Sequence, residues 1–227
     1  MAYPARYGPT WREIFDPEVQ AWLQPGVAVL DVGAGKRPTI PPDMRPAGCH
    51  YVGLDVAAGE LDAASPGSYD EIVVGDVTQP IDGFAQRFDL IVSFMVFEHV
   101  APMDQAIEQL GRYLKPGGGL VMIFAGRNSV FARLSQVLPH RVVVRLLKAL
   151  LGRRPENVFP AHYDQCTDRD MHRLLAGWKT VEVRAFFRGA SYFRFSPLPL
   201  KLYLAYENWA ARGDRAQLAT HYLVHAA

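Results

Sequence analysis

Five short apolar runs, each ending on or near a polar turn, constrain this chain more than any other feature. They read "VAVLDV" (27–32), "YVGLDV" (51–56), "DEIVVGDV" (70–77), "FDLIVSFMV" (88–96) and "GLVMIFAG" (119–126). Short, nearly continuous apolar runs mark strands buried on both faces, and such strands belong to parallel sheets covered by helices. Between the fourth and fifth runs, "APMDQAIEQLGRYL" sets Met103, Ile107, Leu110 and Leu114 on one helical face, and "KPGG" stops that helix. Strands separated by helices or long crossovers predict an α/β fold with a doubly wound, mostly parallel sheet. "TVEVRAFF" (180–187) and "ATHYLVHA" (219–226) are candidate closing strands, which makes the sheet seven-stranded.

Helix signals lie around these runs. "DPEVQAWLQPG" predicts an N-terminal helix within 1–25, capped by Asp16 with Pro17 in its first position and stopped at Gln24-Pro25-Gly26. Thr167 opens a later helix, with Asp170 placed as in a capping box. The stretch after Gly35, "KRPTIPPDMRPAG", holds prolines at 38, 41, 42 and 46. Proline inside a helix costs about 3 kcal/mol, so the first crossover is expected to be a short helix or a loop.

Composition sets the outer limits. A chain of 227 residues, 49% hydrophobic and 21% charged, is expected to form one domain over 1–227. A net charge of +1 offers no global case for nucleic acid. Cys49 and Cys166 form neither a metal spacing nor a disulfide framework, which favours a reducing compartment, and no metal cluster is evident. The first twenty residues lack the apolar core of a signal peptide, and no window approaches the ~18 apolar residues of a membrane span. The expected location is the cytoplasm.

The chemistry gathers at the strand ends, where open parallel sheets bind their ligands. The first run ends in Asp31-Val-Gly-Ala-Gly, the second in Asp55 and the third in Gly75-Asp76; Ser93 lies in the fourth, with Glu98 and His99 following. Gly33 and Gly35 permit positive φ and close approach of backbone N–H groups to a ligand. Asp55 lies 22 residues after Gly33, the spacing at which a carboxylate accepts ribose hydroxyls. Asp76, one strand further out, is in reach of an exocyclic adenine amine. A single aspartate after a strand is ordinarily a turn or cap residue, but three on consecutive strand ends are not explained that way. A nicotinamide site would read G-x-G-x-x-G into a long helix; here Pro38 stands where the third glycine belongs.

These strand ends together resemble the class I S-adenosylmethionine-dependent methyltransferases, and within them the broad methyltransferase type 11 group. "VLDVGAG" is similar to the family's first motif, "YVGLDV" to its ribose-binding acid and "VVGDV" to its adenine-side acid. "FDLIVSFMVFEHV" and "LKPGGGLVMI" match its strand-four and strand-five segments. Lys36 departs from the pattern, since many members carry a third glycine there. The resemblance implies a Rossmann-like methyltransferase fold and S-adenosyl-L-methionine as cofactor, with S-adenosyl-L-homocysteine as product. It implies cofactor contacts at Asp31, Gly33, Gly35, Asp55, Val56, Asp76, Val77 and Ser93. The activity it implies is methyl transfer, to oxygen before nitrogen, on a small-molecule, sugar or lipid-linked acceptor. His99 and His162 are the candidate bases, and either could instead be a packed histidine. A non-catalytic S-adenosylmethionine-binding partner or regulatory protein is the alternative.

Two segments remain for the acceptor. Residues 127–163 are expected as a helical lid inserted after strand five. From Gln109 to Pro155 there is no Asp or Glu, while nine Lys or Arg occur. Arg141, Arg145 and Lys148 fall on one face of a predicted helix, with Val142, Val143, Leu146, Leu147 and Leu150 on the other. The basic face of 141–154 is either a solvated surface or a contact for an anionic substrate or the inner membrane surface. Residues 196–214, rich in Leu, Tyr and Trp, form a second insertion before the last strand, read as core packing, a wall beside the acceptor or a dimer contact.

Overall fold

The computed structural model describes residues 3–152, 160–213 and 215–227. Seven strands form one sheet: β1 (Ala28–Val32), β2 (His50–Asp55), β3 (Glu71–Val74), β4 (Phe88–Phe94), β5 (Leu114–Ala125), β6 (Val181–Phe186) and β7 (His221–Ala226). Their order is β3-β2-β1-β4-β5-β7-β6. The first five are parallel, with Val29 of β1 level with Tyr51 of β2 on one side and Leu90 of β4 on the other. β7 runs antiparallel between β5 and β6, with Val224 opposite both Met122 and Val183. The sheet therefore reverses direction of growth between β1 and β4, which opens a crevice at the carboxyl ends of those two strands.

Side-chain alternation sends each strand into two layers. Leu30, Val32, Leu54 and Ile91 pack with Ile107 and Leu110 of α3 (Met103–Tyr113) and with Met171 of α6 (Asp168–Leu174). Val29, Tyr51, Leu90 and Val92 pack on the opposite face with Phe15 and Val19 of α1 (Trp11–Gln20). The crossover after β1 contains only the short 3-10 turn Pro42–Met44, as its prolines require. The crossover after β2 holds the five-residue helix α2 (Ala58–Asp62).

Two elements differ in their boundaries from the sequence expectation. α1 runs from Trp11 to Gln20, not from Pro17 to the stop at Gln24-Pro25-Gly26. Thr10 caps it: its hydroxyl accepts from Glu13 N and the Glu13 carboxylate accepts from Thr10 N, a complete capping box that moves the start a turn and a half upstream. Pro17 then lies inside the helix and Asp16 pairs with Arg12 at 2.9 Å. β5 begins at Leu114, directly after α3, so "KPGG" belongs to the strand; Leu114 pairs with Phe88, and the register shifts before Leu90 meets Gly119.

After β5 come α4 (Val130–Val137) and α5 (His140–Leu151), two helices within the segment 127–163. Arg141, Arg145 and Lys148 are exposed, and Val143 and Leu147 are buried. Arg153 and Arg154 of the predicted basic face, with the insertion's residues 155–159, lie outside the described residues, as does Asp214. Between β6 and β7 stands α7 (Pro197–Arg212), whose Tyr203 and Leu204 pack against Ala190 while Leu198, Leu202 and Trp209 remain exposed.

Candidate active site

The turn after β1 is tied to the next strand and to the loop after β4. Gly33 N and Ala34 N both donate to Leu54 O, at 2.8 and 3.1 Å. Gly33 has φ +72°, and a Cβ there would stand 2.3 Å from Val96 Cγ2, so only glycine fits the turn beneath that loop. Gly35 (φ +54°) donates its N–H to Asp55 Oδ2 at 3.0 Å, and Ala57 N donates to Asp55 Oδ1 at 2.9 Å. Two backbone donors thus orient this carboxylate and leave further acceptor positions on it. Asp76 Oδ1 is held in the same way by Thr78, through its N–H at 2.9 Å and its hydroxyl at 2.8 Å. A cavity of about 600 Å³ lies over these groups, lined by Gly33, Gly35, Asp55, Val56, Asp76 and Val77. Val56 is 68% exposed, an apolar surface presented at the cavity rather than packed in the core.

Asp31 and Ser93, expected as cofactor contacts, do not line this cavity. Asp31 shares strand parity with Val29, so its side chain enters the α1 layer, where it is fully buried. Its Oδ2 accepts from Thr39 N and from the Tyr51 hydroxyl, each at 2.7 Å, and Ile40 N donates to that same hydroxyl oxygen at 2.9 Å. Arg45 stacks on the Tyr51 ring at 3.7 Å and donates to Ile40 O. Asp31 is therefore the post that holds the proline-rich loop. Burial pushes its carboxyl up to about 6 against the pull of its hydrogen bonds. Ser93 is buried and donates to Val32 O at 2.9 Å, pinning β4 to β1.

A second cavity, of about 670 Å³, lies over the ends of β5, β7 and β6, among residues that include Trp11, Phe131, Val143, Leu147, Arg188 and His221. Phe131 of α4 stacks on Tyr192 at 3.9 Å, and Trp11 lies against His221 at 4.3 Å. Burial, with Arg188 beside it, pushes the His221 ring down to about 3, so it is neutral at ordinary pH. Among the described side chains of α5, Val143 and Leu147 line this cavity.

The two cavities meet at Met95, His99, Pro160 and His162, which line both. Both candidate histidines therefore stand at the junction. Glu98 O accepts from the backbone N–H groups of His162 and Tyr163, each at 2.9 Å. His99 Nδ1 lies 2.7 Å from Pro160 O; a carbonyl only accepts, so Nδ1 is the donor of this bond. The Glu98 side chain is 7% exposed, lines the second cavity and has its carboxyl raised by burial, which the neighbouring His99 opposes. Met95 (φ +59°), at the junction, and Tyr163 (φ +51°), next to His162, hold left-handed backbone that non-glycine residues seldom adopt.

The sequence reading missed Trp11, Arg188 and His221. Arg188 follows β6 and His221 opens β7; only the antiparallel entry of β7 brings them to one edge. The shift from "THY" to an apolar run at Tyr222 was the available signal for His221, and nothing local marked Arg188.

A family model described as a methyltransferase domain matches residues 9–181. A ubiquinone biosynthesis O-methyltransferase from Chelativorans sp. (strain BNC1) is 32% identical over 97 residues, 41% of this chain and 38% of that protein. The mitochondrial protein of the same name from Mus musculus is 28% identical over 125 residues, 52% of this chain and 34% of the relative. The chain thus spans well under half the length of these curated relatives. Among solved structures, phosphoethanolamine N-methyltransferase 2 of Haemonchus contortus, in complex with phosphomonomethylethanolamine and S-adenosylhomocysteine, superposes with TM-score 0.56 at 13% identity, over 94% of this chain and 53% of that one. A SAM-dependent methyltransferase from Methanosarcina mazei gives 0.52 at 17% identity, over 92% and 96%. At these identities the likeness is one of fold.

Proposed function

The chain belongs to the class I S-adenosylmethionine-dependent methyltransferases, and from that membership we propose that it methylates an oxygen atom of a small-molecule acceptor held in the second cavity. The observation that carries this reading is the meeting of the two cavities at Met95, His99, Pro160 and His162. A donor in the first cavity and an acceptor in the second would face each other there. The curated relatives are named as O-methyltransferases, which supports oxygen as the atom.

The residues of the first cavity fit the cofactor. When bound, S-adenosylmethionine supplies an electrophilic methyl carbon on a sulfonium. Asp55, already oriented by two backbone N–H groups, would accept the ribose hydroxyls. Asp76 would accept from the adenine amine, and exposed Val56 would cover one face of the ring. The turn at Gly33 and Gly35 brings backbone close to the ligand without a helix N-terminus behind it, as suits a ligand with no phosphate. The protein's main contribution is then alignment of two bound reactants. For a hydroxyl acceptor, His99 or His162 would take the proton as the new bond forms, a contribution of roughly 10²–10⁴ in rate.

The test has two stages. Saturating S-adenosylhomocysteine should stabilise the protein, by ~2.7 kcal/mol at 100 times its dissociation constant. Labelled donor and fractionated cell extract should then return a labelled small molecule. No stabilisation at saturation would remove this reading. A lipid-linked acceptor is a second reading, favoured by the exposure of Leu134, Val137 and Val142 on α4 and α5 together with Arg141, Arg145 and Lys148.

A further inference from the structure

Among the described residues Arg188 has no counter-ion, and it stands in the second cavity as a fixed cation. Its backbone N–H donates to Thr220 Oγ1 at 2.8 Å, where the chain leaves β6. Its Nη2 donates to the carbonyl oxygens of Pro9 and Tyr7, and the guanidinium stacks on Trp11 at 4.4 Å. The segment before α1 and the first residue of α1 therefore hold it in place. Its Nε and Nη1 are buried and have no hydrogen-bond acceptor among the described residues.

The neighbouring charges do not neutralise it. Among the described residues no carboxylate lies within ion-pair distance of Arg188. Glu207, the acid whose field reaches it, is taken up by Arg6 at 2.9 Å, by the Gly189 N–H at 2.6 Å and by the Tyr7 hydroxyl. His221 is neutral, and burial raises the Glu98 carboxyl. A partly desolvated guanidinium left in this state is unfavourable until an anion joins it. Arg188 lines the second cavity and not the first.

We propose that Arg188 anchors the acceptor, and that the acceptor carries an oxyanion, a carboxylate or a phosphate, at a position apart from the oxygen that is methylated. The aromatic walls at Trp11, Phe131 and Tyr192 suit a flat ring bearing that anion. This rests on the assignment of the second cavity to the acceptor.

The test is calorimetric titration of the full chain with three ring probes: 4-hydroxybenzoate, 4-hydroxyphenyl phosphate and the neutral 4-hydroxybenzyl alcohol. Each is titrated with and without S-adenosylhomocysteine. At least one anion should bind about tenfold or more tighter than the alcohol, the preference expected of a charge-assisted contact. The two anionic arms separate carboxylate from phosphate. In Arg188→Gln the preference should fall to within about threefold, and Arg188→Lys should keep part of it. Equal affinity for charged and neutral probes, or no binding of either anion, overturns the proposal. So does an anion preference that survives Arg188→Gln. The wild-type comparison needs no variant, so a variant that fails to fold leaves the proposal open to refutation. Failure of S-adenosylhomocysteine to bind would instead remove the methyltransferase reading, while the anion preference could still be measured without it.

Discussion

The backbone N–H of His162 donates to the carbonyl oxygen of Glu98 at 2.9 Å. That bond closes a short clasp between the exit of the helical insertion and the loop after β4, and it puts His162 and His99 on the line where the two cavities join. His99→Ala and His162→Ala should each be tested for turnover with the acceptor that labelling returns. Loss of the acting base should lower kcat by about 10²–10⁴. Affinity for S-adenosylhomocysteine should stay within about twofold in the same variant, since an alanine at the junction removes no ribose or adenine contact. Wild-type turnover in both variants would eliminate histidine base catalysis.

Asp55→Asn keeps the shape of the side chain and removes its charge. Hydrogen bonds to a charged group are worth about 1.5–3 kcal/mol, so affinity for S-adenosylhomocysteine should fall roughly 10- to 100-fold. Titration calorimetry reads this directly. Unchanged affinity would mean that the ribose lies elsewhere.

Gly33→Ala meets two obstacles, the positive φ of +72° and Val96 Cγ2 at 2.3 Å. The left-handed backbone and the forced overlap together should cost roughly 2–4 kcal/mol in urea unfolding. Adding Val96→Ala should restore the part due to overlap but not the part due to backbone. A Gly33→Ala protein as stable as wild type would show that the loop after β4 does not rest on this turn.

Asp31 should leave a mark on the pH dependence of stability. Burial raises its carboxyl from the ordinary 3.8 to about 6, so the folded state binds the extra proton between these values. The resulting stabilisation is complete below the unfolded value and is lost as pH rises through about 6, a change of ~3 kcal/mol. Asp31→Asn does not titrate. The stability of wild type relative to this variant should therefore fall by about that amount between pH 3 and pH 7. A difference that is flat over this range, in denaturant titrations at each pH, would refute the assignment.

The lipid reading of the acceptor makes a separate demand. If α4 and α5 meet an anionic surface, the protein should sediment with anionic but not neutral vesicles, and each basic residue should contribute about 1 kcal/mol. High salt should abolish the effect, as should Arg141→Glu combined with Arg145→Glu. Absence of binding in low salt returns the basic face to solvent.

The sheet was legible because its strands are short apolar runs, and those of β1, β2, β3 and β5 lead into an acid or a glycine at the carboxyl end, a local pattern. That Asp55 and Asp76 would stand together at one cavity was legible for the same reason. Asp31 was misread because its chemistry matches a ligand contact while its parity with Val29 turns it inward; the alternation along "VAVLDV" already held that information. The start of α1 was misread because Asp16-Pro17 is a good local start signal, and the better one, Thr10 with Glu13, lies a few residues upstream. Arg188 had no local signal, and the one at His221 did not say that the two would meet. Their meeting depends on β7 entering the sheet between two strands, a long-range pairing with no local signature.

That entry of β7 also sets an order of assembly. Among the described residues β6 pairs with β7 alone, and β7 follows the other six strands. During synthesis, β1 to β5 can close their ladders while β6 waits without a partner. Asp55 and Asp76 are in place at that stage, but the end of the second cavity formed by Arg188 and His221 is not. A substitution that weakens β7 alone should therefore yield a protein that still takes up the nucleoside but has lost its discrimination among the molecules to be methylated.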